Sequence, residues 1–249
     1  MKVAAVQFQP KLREVEANLH RAAELTVEAA RGGATLIVHP ELCTTGYSFM
    51  NKGEAEPYAE ELIHSGRPGA EPSRSMHVFG TLARKLGVTV VWGVMEKDPA
   101  GKLYNSQVLI TPEGSWVFYR KINKWGNDYL WASSGESNPP IHVVDGKKVG
   151  LLICRDVRDK FDKDWTDFYE AGDADVVCLS ANWGDGGFPA VAWMDFAKDN
   201  NVALVISNRY GREENNNFGE GGICVVYPDH RVACDGLKWS EDCIVYAEV

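Results

Sequence analysis

The chain has 249 residues, of which 45% are hydrophobic and 24% are charged, and its formal net charge at pH 7 is -9. This size and composition are those of an ordinary globular protein, and we expect a single domain over residues 1–249. The acidic balance and the lack of a Lys/Arg-rich run argue against a nucleic-acid partner, because phosphate contacts require clustered positive charge.

The first half of the chain alternates short apolar strands with helical segments. A helix is predicted over 14–31, where apolar residues recur at helical spacing and two glycines follow, and another over 72–86. The polar segment 42–70 is predicted to be mainly loop, with a short helix around 58–63. Strands of this half are predicted over residues 2–8, 34–38, 88–95, 103–110 and 115–120.

The second half also alternates apolar strands with helical segments, although its sequence does not repeat that of the first half. Segment 121–147 is rich in Trp, Gly, Asn and Pro and is predicted to be loop, whereas 161–171 and 189–200 are predicted helices. Strands are predicted over residues 148–153, 175–180, 202–207, 222–227 and 244–248. Because β–β and β–α connections are mixed, we expect a layered α/β fold whose sheets are partly antiparallel.

The cysteines and the N-terminal residues indicate the cellular compartment in which the protein is expected. The six cysteines are widely spaced, without a CxxC pair or clustered histidines, so we expect no metal site and mostly buried thiols in a reducing compartment. The apolar N-terminal stretch is broken by Gln7 and Gln9 and stopped by Pro10, which does not fit a signal peptide. No run reaches the ~18 apolar residues of a membrane span. We therefore expect a cytoplasmic protein without a membrane partner.

Three residues with catalytic chemistry follow predicted strands: Glu41 after 34–38, Lys121 after 115–120 and Cys154 after 148–153. A carboxylate beside buried strands tends to have a raised pKa and suits a general base. An ammonium group can stabilise an oxyanion, and a thiol in a crevice can act as a nucleophile. Taken one at a time, a surface glutamate, a solvated lysine and an inert buried cysteine are simpler explanations.

These three residues lie in short motifs that follow one another along the chain. Residues 40–47 are Pro-Glu-Leu-Cys-Thr-Thr-Gly-Tyr, residues 119–121 are Tyr-Arg-Lys, and residues 150–156 are Gly-Leu-Leu-Ile-Cys-Arg-Asp. In this order and at these intervals they resemble the signatures of the nitrilase superfamily of carbon–nitrogen hydrolases. Further landmarks extend the resemblance over nearly the whole chain, at 3–7, 200–201, 208–211 and 222–228.

The resemblance implies a four-layer α-β-β-α sandwich and a cysteine mechanism that uses no metal or cofactor. It implies that Cys154 attacks an amide or nitrile carbon while Glu41 carries protons, and that a thioester-type intermediate forms as ammonia or an amine leaves. Lys121 and the backbone N–H of Arg155 would hold the oxyanion. It also implies a homodimer or a higher homo-oligomer.

A fourth catalytic residue is expected from the same resemblance. Many family members carry a second acidic residue a few positions after the lysine, and the equivalent position here is Asp128. Aspartate is one methylene shorter than the usual glutamate, so either the loop compensates or this orienting group is absent.

Six residues close to these motifs are candidate substrate contacts: Tyr47, Trp125, Arg155, Arg158, Asn182 and Trp183. Aromatic walls with an amide donor suit a small polar substrate. Relatives that hydrolyse dicarboxylic amides often read Cys-Tyr-Asp-x-Arg-Phe-Pro-Glu, of which the Asp and the Arg match here at 156 and 158. Arg158 is therefore a candidate clamp for a substrate carboxylate, although an ion pair with Asp156 or Asp159 explains it equally well.

The favoured function is hydrolysis of a small amide, of the amidase or ω-amidase type. Hydrolysis of a nitrile or of an N-carbamoyl amino acid is the alternative within the same chemistry. Alternatives of another class are a non-catalytic amide-binding relative and a thiol-redox protein that uses Cys154. The redox role calls for a resolving thiol, and no cysteine is adjacent to Cys154 in the sequence.

Overall fold

A computed structural model of the protein describes residues 1–62, 71–157, 173–184 and 187–249. The strands in these ranges are β1 (Lys2–Gln7), β2 (Leu36–Val38), β3 (Thr89–Lys97), β4 (Leu103–Ile110), β5 (Trp116–Arg120), β6 (Ile141–Val144), β7 (Lys147–Ile153), β8 (Val176–Ser180), β9 (Ala203–Ser207), β10 (Arg212–Glu213), β11 (Asn216–Asn217), β12 (Cys224–Val226), β13 (Val232–Ala233) and β14 (Cys243–Glu248). The α-helices are α1 (Val15–Arg31), α2 (Lys52–Ala55), α3 (Arg74–Leu86), α4 (Asp128–Trp131) and α5 (Val191–Asp199). Two 3₁₀ turns cover Glu56–Tyr58 and Cys154–Val157.

The strands form two six-stranded mixed sheets with the same pattern of directions, and a small β10–β11 ribbon. The first sheet has the order β14-β1-β2-β3-β4-β5, and the second has the order β13-β12-β9-β8-β7-β6. In each sheet three central strands are parallel, β1 to β3 in one and β7 to β9 in the other, and their outer neighbours are antiparallel. The two halves of the chain therefore share a topology, although their sequences do not repeat.

The sheets and helices stack in four layers, which confirms the expected α-β-β-α sandwich. One apolar cluster joins the outer face of the first sheet to α1 and α3, and a larger cluster fills the space between the sheets and continues to α5. Helix α1 buries Leu19, Ala22, Leu25 and Ala29, which recur at helical spacing on one face. Each large side chain buried in this way contributes about 1.5–3 kcal/mol of transfer free energy.

Most predicted strands and the helices at 14–31, 72–86 and 189–200 are confirmed to within a few residues. The short helix predicted around 58–63 is wrong in position. The Asn51 side chain accepts the backbone N–H of Glu54 and so starts α2 earlier, and the Glu56–Tyr58 turn follows. The predicted helix at 161–171 lies outside the described residues.

Segment 121–147 is wrong as a continuous loop, because it contains α4 and strand β6. Strand β6 pairs with β7 across the two-residue turn Asp145-Gly146, and both residues have positive φ, 48° and 78°. An Asp-Gly pair with this backbone conformation is a strong hairpin signal, and it explains why β6 and β7 pair here. Within the described ranges, no helix is both long enough and apolar enough to span a bilayer.

Candidate active site

Glu41 is held inside the protein by a close backbone approach. Segment 40–42 follows β2 and lies directly on β3, where the N–H of Gly93 donates to the carbonyl of Pro40 at 3.2 Å. A Cβ on Gly93 would be 2.3 Å from the backbone nitrogen of Leu42, so only glycine permits this approach. The carboxylate of Glu41 is consequently turned inward, and the residue is 1% exposed.

Lys121 follows β5, and its ammonium group joins two carboxylates. Its backbone is fixed on both sides, because its N–H donates to the carbonyl of Asn105 and its carbonyl accepts from Gly135, both at 2.8 Å. The Nζ atom lies 2.6 Å from Oε1 of Glu41 and 2.6 Å from Oδ2 of Asp128. The lysine therefore sits between two acidic groups, and all three side chains are buried.

Asp128 reaches the lysine in spite of its short side chain, because the loop after β5 compensates. It is the first residue of α4, and its Oδ2 also accepts the backbone N–H of Trp125 at 3.1 Å. The side-chain amide of Asn105 donates to Oε1 of Glu41 at 2.7 Å and to Oδ1 of Asp128 at 3.1 Å. Lys121 and Asn105 therefore bridge the same pair of carboxylates.

The second oxygen of Glu41 is left without a partner. Oε2 is buried and accepts no hydrogen bond from the part of the chain that the structure describes. Burial raises the pKa of Glu41, and the charge of Asp128 raises it further, whereas Lys121 and the amide of Asn105 oppose this shift. A carboxylate with a raised pKa and one unoccupied oxygen has the properties of a general base.

Cys154 lies at the turn where β7 passes into the 3₁₀ segment Cys154–Val157. Its φ of 48° falls in the left-handed region, which a non-glycine residue adopts at a cost of about 1–3 kcal/mol. Asp156 stabilises this turn, because its carboxylate accepts the N–H groups of Ile153 at 3.2 Å and Asn123 at 2.9 Å and the hydroxyl of Tyr119 at 2.9 Å. The same carboxylate thereby ties the cysteine turn to the segment that follows Lys121.

The surroundings of Cys154 favour the protonated thiol over the thiolate. Burial raises its pKa, and the negative charge of Glu41 adds to this effect. The positive charge of Lys121 and a hydrogen bond from the backbone of Asn182 act in the opposite direction. Lys121 stays charged, since the two carboxylates outweigh its burial and raise its pKa well above the usual value. A thiolate at Cys154 therefore requires a proton acceptor, and Glu41 is electrostatically coupled to it.

Three of the predicted substrate contacts form one group. The hydroxyl of Tyr47 donates to the backbone carbonyl of Trp125, and the guanidinium of Arg155 stacks over the Trp125 ring at 4.8 Å. Tyr47 is buried, whereas Trp125 is 44% exposed and lies at the surface end of the group. The side chain of Arg155 therefore extends over an aromatic ring.

Asn182 and Trp183 follow β8, and Asn182 lies against the nucleophile through its backbone. Both polar atoms of its side-chain amide are buried without a partner in the described ranges. The backbone of Trp183 is fixed by Asn208, whose amide accepts its N–H at 2.8 Å and donates to its carbonyl at 3.0 Å. Arg158 lies outside the described residues.

Two parts of this site were not predicted from the sequence. Asn105 belongs to the run Asn-Ser-Gln in the middle of the buried strand β4, and polar residues in a buried strand were the available signal. Glu213 supports the Tyr47 loop, since one of its oxygens accepts the N–H groups of Tyr47 and Ser48, both at 2.7 Å, and the other pairs with Arg209 at 2.7 Å. Its contacts to Tyr47 and Ser48 span more than 160 residues, so no local pattern reveals them.

Comparisons with known proteins agree with this geometry. A family model described as carbon–nitrogen hydrolase matches residues 2–249. A protein named nitrilase from Pyrococcus abyssi is 32% identical over 88% of this chain and 78% of its own length. An (R)-stereoselective amidase from a Pseudomonas species is 28% identical over 93% of this chain and 79% of its own length. An amidase of Nesterenkonia sp. AN1, solved with butyramide, has a TM-score of 0.83 at 20% identity, covering all of this chain and 90% of that one.

Proposed function

This chain belongs to the carbon–nitrogen hydrolase family, and we propose that it hydrolyses small non-peptide amides through a thioester at Cys154, with release of ammonia. The observation that carries the proposal is the buried arrangement of Glu41, Asp128 and Lys121 beside the thiol, with one oxygen of Glu41 unoccupied. A relative named as an amidase supports an amide as the substrate.

In the first half of the reaction, Glu41 takes the thiol proton while the sulfur of Cys154 bonds to the amide carbon. The carbonyl electron pair moves onto oxygen and gives a tetrahedral oxyanion. As the C–N bond breaks, Glu41 returns its proton to the leaving nitrogen, so ammonia departs and a thioester remains. In the second half, Glu41 removes a proton from water, the hydroxide attacks the thioester, and the thiol leaves with the proton.

Lys121 is proposed to hold the oxyanion. An ammonium group has three N–H donors, and two of these are used by Glu41 and Asp128. The third has no acceptor in the described part of the chain and is available for the substrate oxygen. One such donor typically contributes ~10²–10³ in rate, and the backbone N–H of Arg155 is proposed as the second.

Ammonia release from a panel of small amides tests the proposal. We expect release by the native protein and none by Cys154→Ala, with Cys178→Ala as a matched control because Cys178 is also buried and lies away from the carboxylates. Release that persists in Cys154→Ala would overturn the assignment of the nucleophile. No release from any amide, together with a Cys154 that does not react with iodoacetamide, would favour a non-catalytic relative.

A nitrile is the second candidate substrate, because the Pyrococcus relative is named a nitrilase. Thiol attack on a nitrile carbon gives a thioimidate, and water then converts it to the same thioester with loss of ammonia. The panel therefore includes the nitrile that corresponds to each amide. A kcat/KM for the nitriles above that for their amides would move the assignment to nitrile hydrolysis.

We also propose that the protein is one domain, acts in the cytoplasm and forms a homodimer or a higher homo-oligomer. The family model covers residues 2–249 without interruption, which supports one domain. The six cysteines are free, as expected in a reducing compartment. The outer helix α5 exposes 69% of Val191, an apolar side chain that a partner subunit would cover. Light scattering on the purified protein distinguishes a dimer from a monomer.

A further inference from the structure

An aromatic cavity borders Trp183, the residue after Asn182, and has no role in the mechanism above. Its volume is about 270 Å³, and its main walls are aromatic rings with one carboxylate: Trp183, Phe188, Trp193, Phe218, Trp239 and Glu220. The rings of Phe188 and Trp239 meet edge to face at 5.1 Å, and those of Trp183 and Trp193 lie 5.4 Å apart. Such a volume holds a small organic group and is below that of a drug-sized pocket.

Glycines in and behind the wall make room for these rings. Gly222 lies behind one ring, and a Cβ there would be 2.6 Å from the ring of Phe188, so a side chain at this position would force the ring to move. A Cβ on Gly184 would lie 2.5 Å from the carbonyl of Asn217 and 3.1 Å from the Cα of Phe218. The cavity therefore depends on close backbone approaches on two sides.

Two of the walls connect the cavity to the catalytic residues. Trp183 directly follows Asn182, whose backbone contacts the thiol of Cys154. On the other side, Phe218 packs edge to face against Tyr47 at 5.8 Å. These two contacts place the cavity next to residues that border the catalytic groups, on the side of Asn182 and of Tyr47.

The residues that line the cavity determine which chemical groups of a ligand can bind in it. Aromatic faces favour apolar and aromatic groups, and they also attract cations. Glu220 adds a negative charge, and the described lining contains no Lys, Arg or His to offset it. A polar atom of the lining is available, because the indole N–H of Trp193 is buried without a partner among the described residues. Among the described lining residues, a carboxylate in this cavity would meet repulsion from Glu220 and no compensating cation.

We propose that this cavity receives the acyl side chain of the substrate and selects amides with an aromatic or other bulky apolar acyl group that is neutral or positively charged. The inference rests on the proposed amidase function, in which the leaving group is ammonia and the acyl part is the only bulky portion. It differs from the ω-amidase expectation, in which a carboxylate at the far end of the substrate is bound by a cation.

The test measures kcat/KM by ammonia release for acetamide, phenylacetamide and two para-substituted phenylacetamides, one with an aminomethyl group and one with a carboxylate. We expect phenylacetamide to exceed acetamide by about tenfold or more, as a filled apolar pocket typically gives. The aminomethyl compound is expected to exceed the carboxylate compound, because Glu220 attracts one and repels the other.

Two variants assign these preferences to the cavity. Trp239 is 46% exposed, and we expect Trp239→Ala to lower the ratio of phenylacetamide to acetamide by about tenfold. Glu220→Gln is expected to lower the ratio of the aminomethyl to the carboxylate compound by roughly threefold, the scale of an exposed charge pair. Trp116→Ala and Glu113→Gln, at and before the start of β5, the end away from Lys121, are the matched controls and should keep both ratios.

The outcomes separate this inference from the proposed function. Acetamide hydrolysis with no preference for phenylacetamide, or with the carboxylate compound preferred, would overturn the cavity assignment while the amidase function stands. The assignment would also be overturned if Trp116→Ala and Glu113→Gln lowered the two substrate ratios as much as Trp239→Ala and Glu220→Gln do. Failure to release ammonia from every amide would instead count against the proposed function on which the inference rests.

Discussion

Replacing Asp128 by asparagine removes one negative charge from beside the proposed general base. The Oδ2 atom of Asp128 and the Oε1 atom of Glu41 each lie 2.6 Å from Nζ of Lys121, so their separation is at most twice this distance. Two like unit charges about 5 Å apart repel by about 3 kcal/mol at an effective dielectric constant of ~20, which equals about two pKa units. The charge of Asp128 is one of the causes that raise the pKa of Glu41, so its loss lowers that pKa.

The expected result is a shift of the pH profile in a defined direction. Glu41 must be ionised to accept the thiol proton, so kcat/KM falls as the pH drops through the pKa of Glu41. In Asp128→Asn the acid limb should therefore move to lower pH, by up to about two units. The maximum should also fall, on the order of 10²-fold, because Nζ of Lys121 loses one of the two groups that position it.

The assay is ammonia release from a small amide across the pH range, with Asp235→Asn as a control that removes an exposed aspartate. Circular dichroism at each pH establishes that the variant is folded. An acid limb that stays in place, or moves to higher pH, would refute the claim that Asp128 sets the basicity of Glu41. A mere loss of rate without a pH shift would leave Asp128 as a positioning group only.

Three further perturbations test the remainder of the site. Asn105→Leu removes a hydrogen bond that lowers the pKa of Glu41, so the acid limb of kcat/KM should move to higher pH, opposite to Asp128→Asn. Glu213→Gln leaves Arg209 buried without its ion pair, and urea unfolding should give a loss of about 3–5 kcal/mol, whereas a loss below about 1 kcal/mol contradicts this. Burial raises the pKa of Asp156 to about 6, above the ~4 of an unfolded chain. The contribution of Asp156 to the free energy of unfolding is therefore fully present below about pH 4 and is lost as the pH rises through about 6, a decrease of about 3 kcal/mol. Urea unfolding at a series of pH values should show this decrease in the native protein and not in Asp156→Asn.

The layers of the fold were predictable from the sequence because burial leaves a recognisable pattern of apolar residues in each element. The buried strands are nearly continuous apolar runs, as β7 and β9 illustrate, and α1 has apolar residues at helical spacing. Elements that depend on a turn or a cap were harder to predict. Strand β6 is exposed at Ile141 and Val143, so its pattern is weak, and it is fixed by the Asp145-Gly146 turn and its pairing with β7.

The residues of the site also divide into those that a local sequence pattern indicates and those that depend on the tertiary structure. Glu41, Lys121 and Cys154 were found because each follows an apolar strand within an ordered set of motifs. Whether Asp128 reaches the lysine could not be decided from spacing, since the answer depends on where the first turn of α4 places a short side chain. Asn105 and Glu213 act across the fold, and only the tertiary structure brings them to their partners.

Trapping the acyl-enzyme tests the central claim most directly. The native protein is mixed with a good amide substrate, quenched in acid within the first turnover, digested and analysed by mass spectrometry. We predict that the mass of the acyl group is added to the peptide that contains Cys154, and that Glu41→Gln accumulates less of this adduct. Ammonia release without any adduct, or an adduct on one of the other five cysteines, would contradict the account.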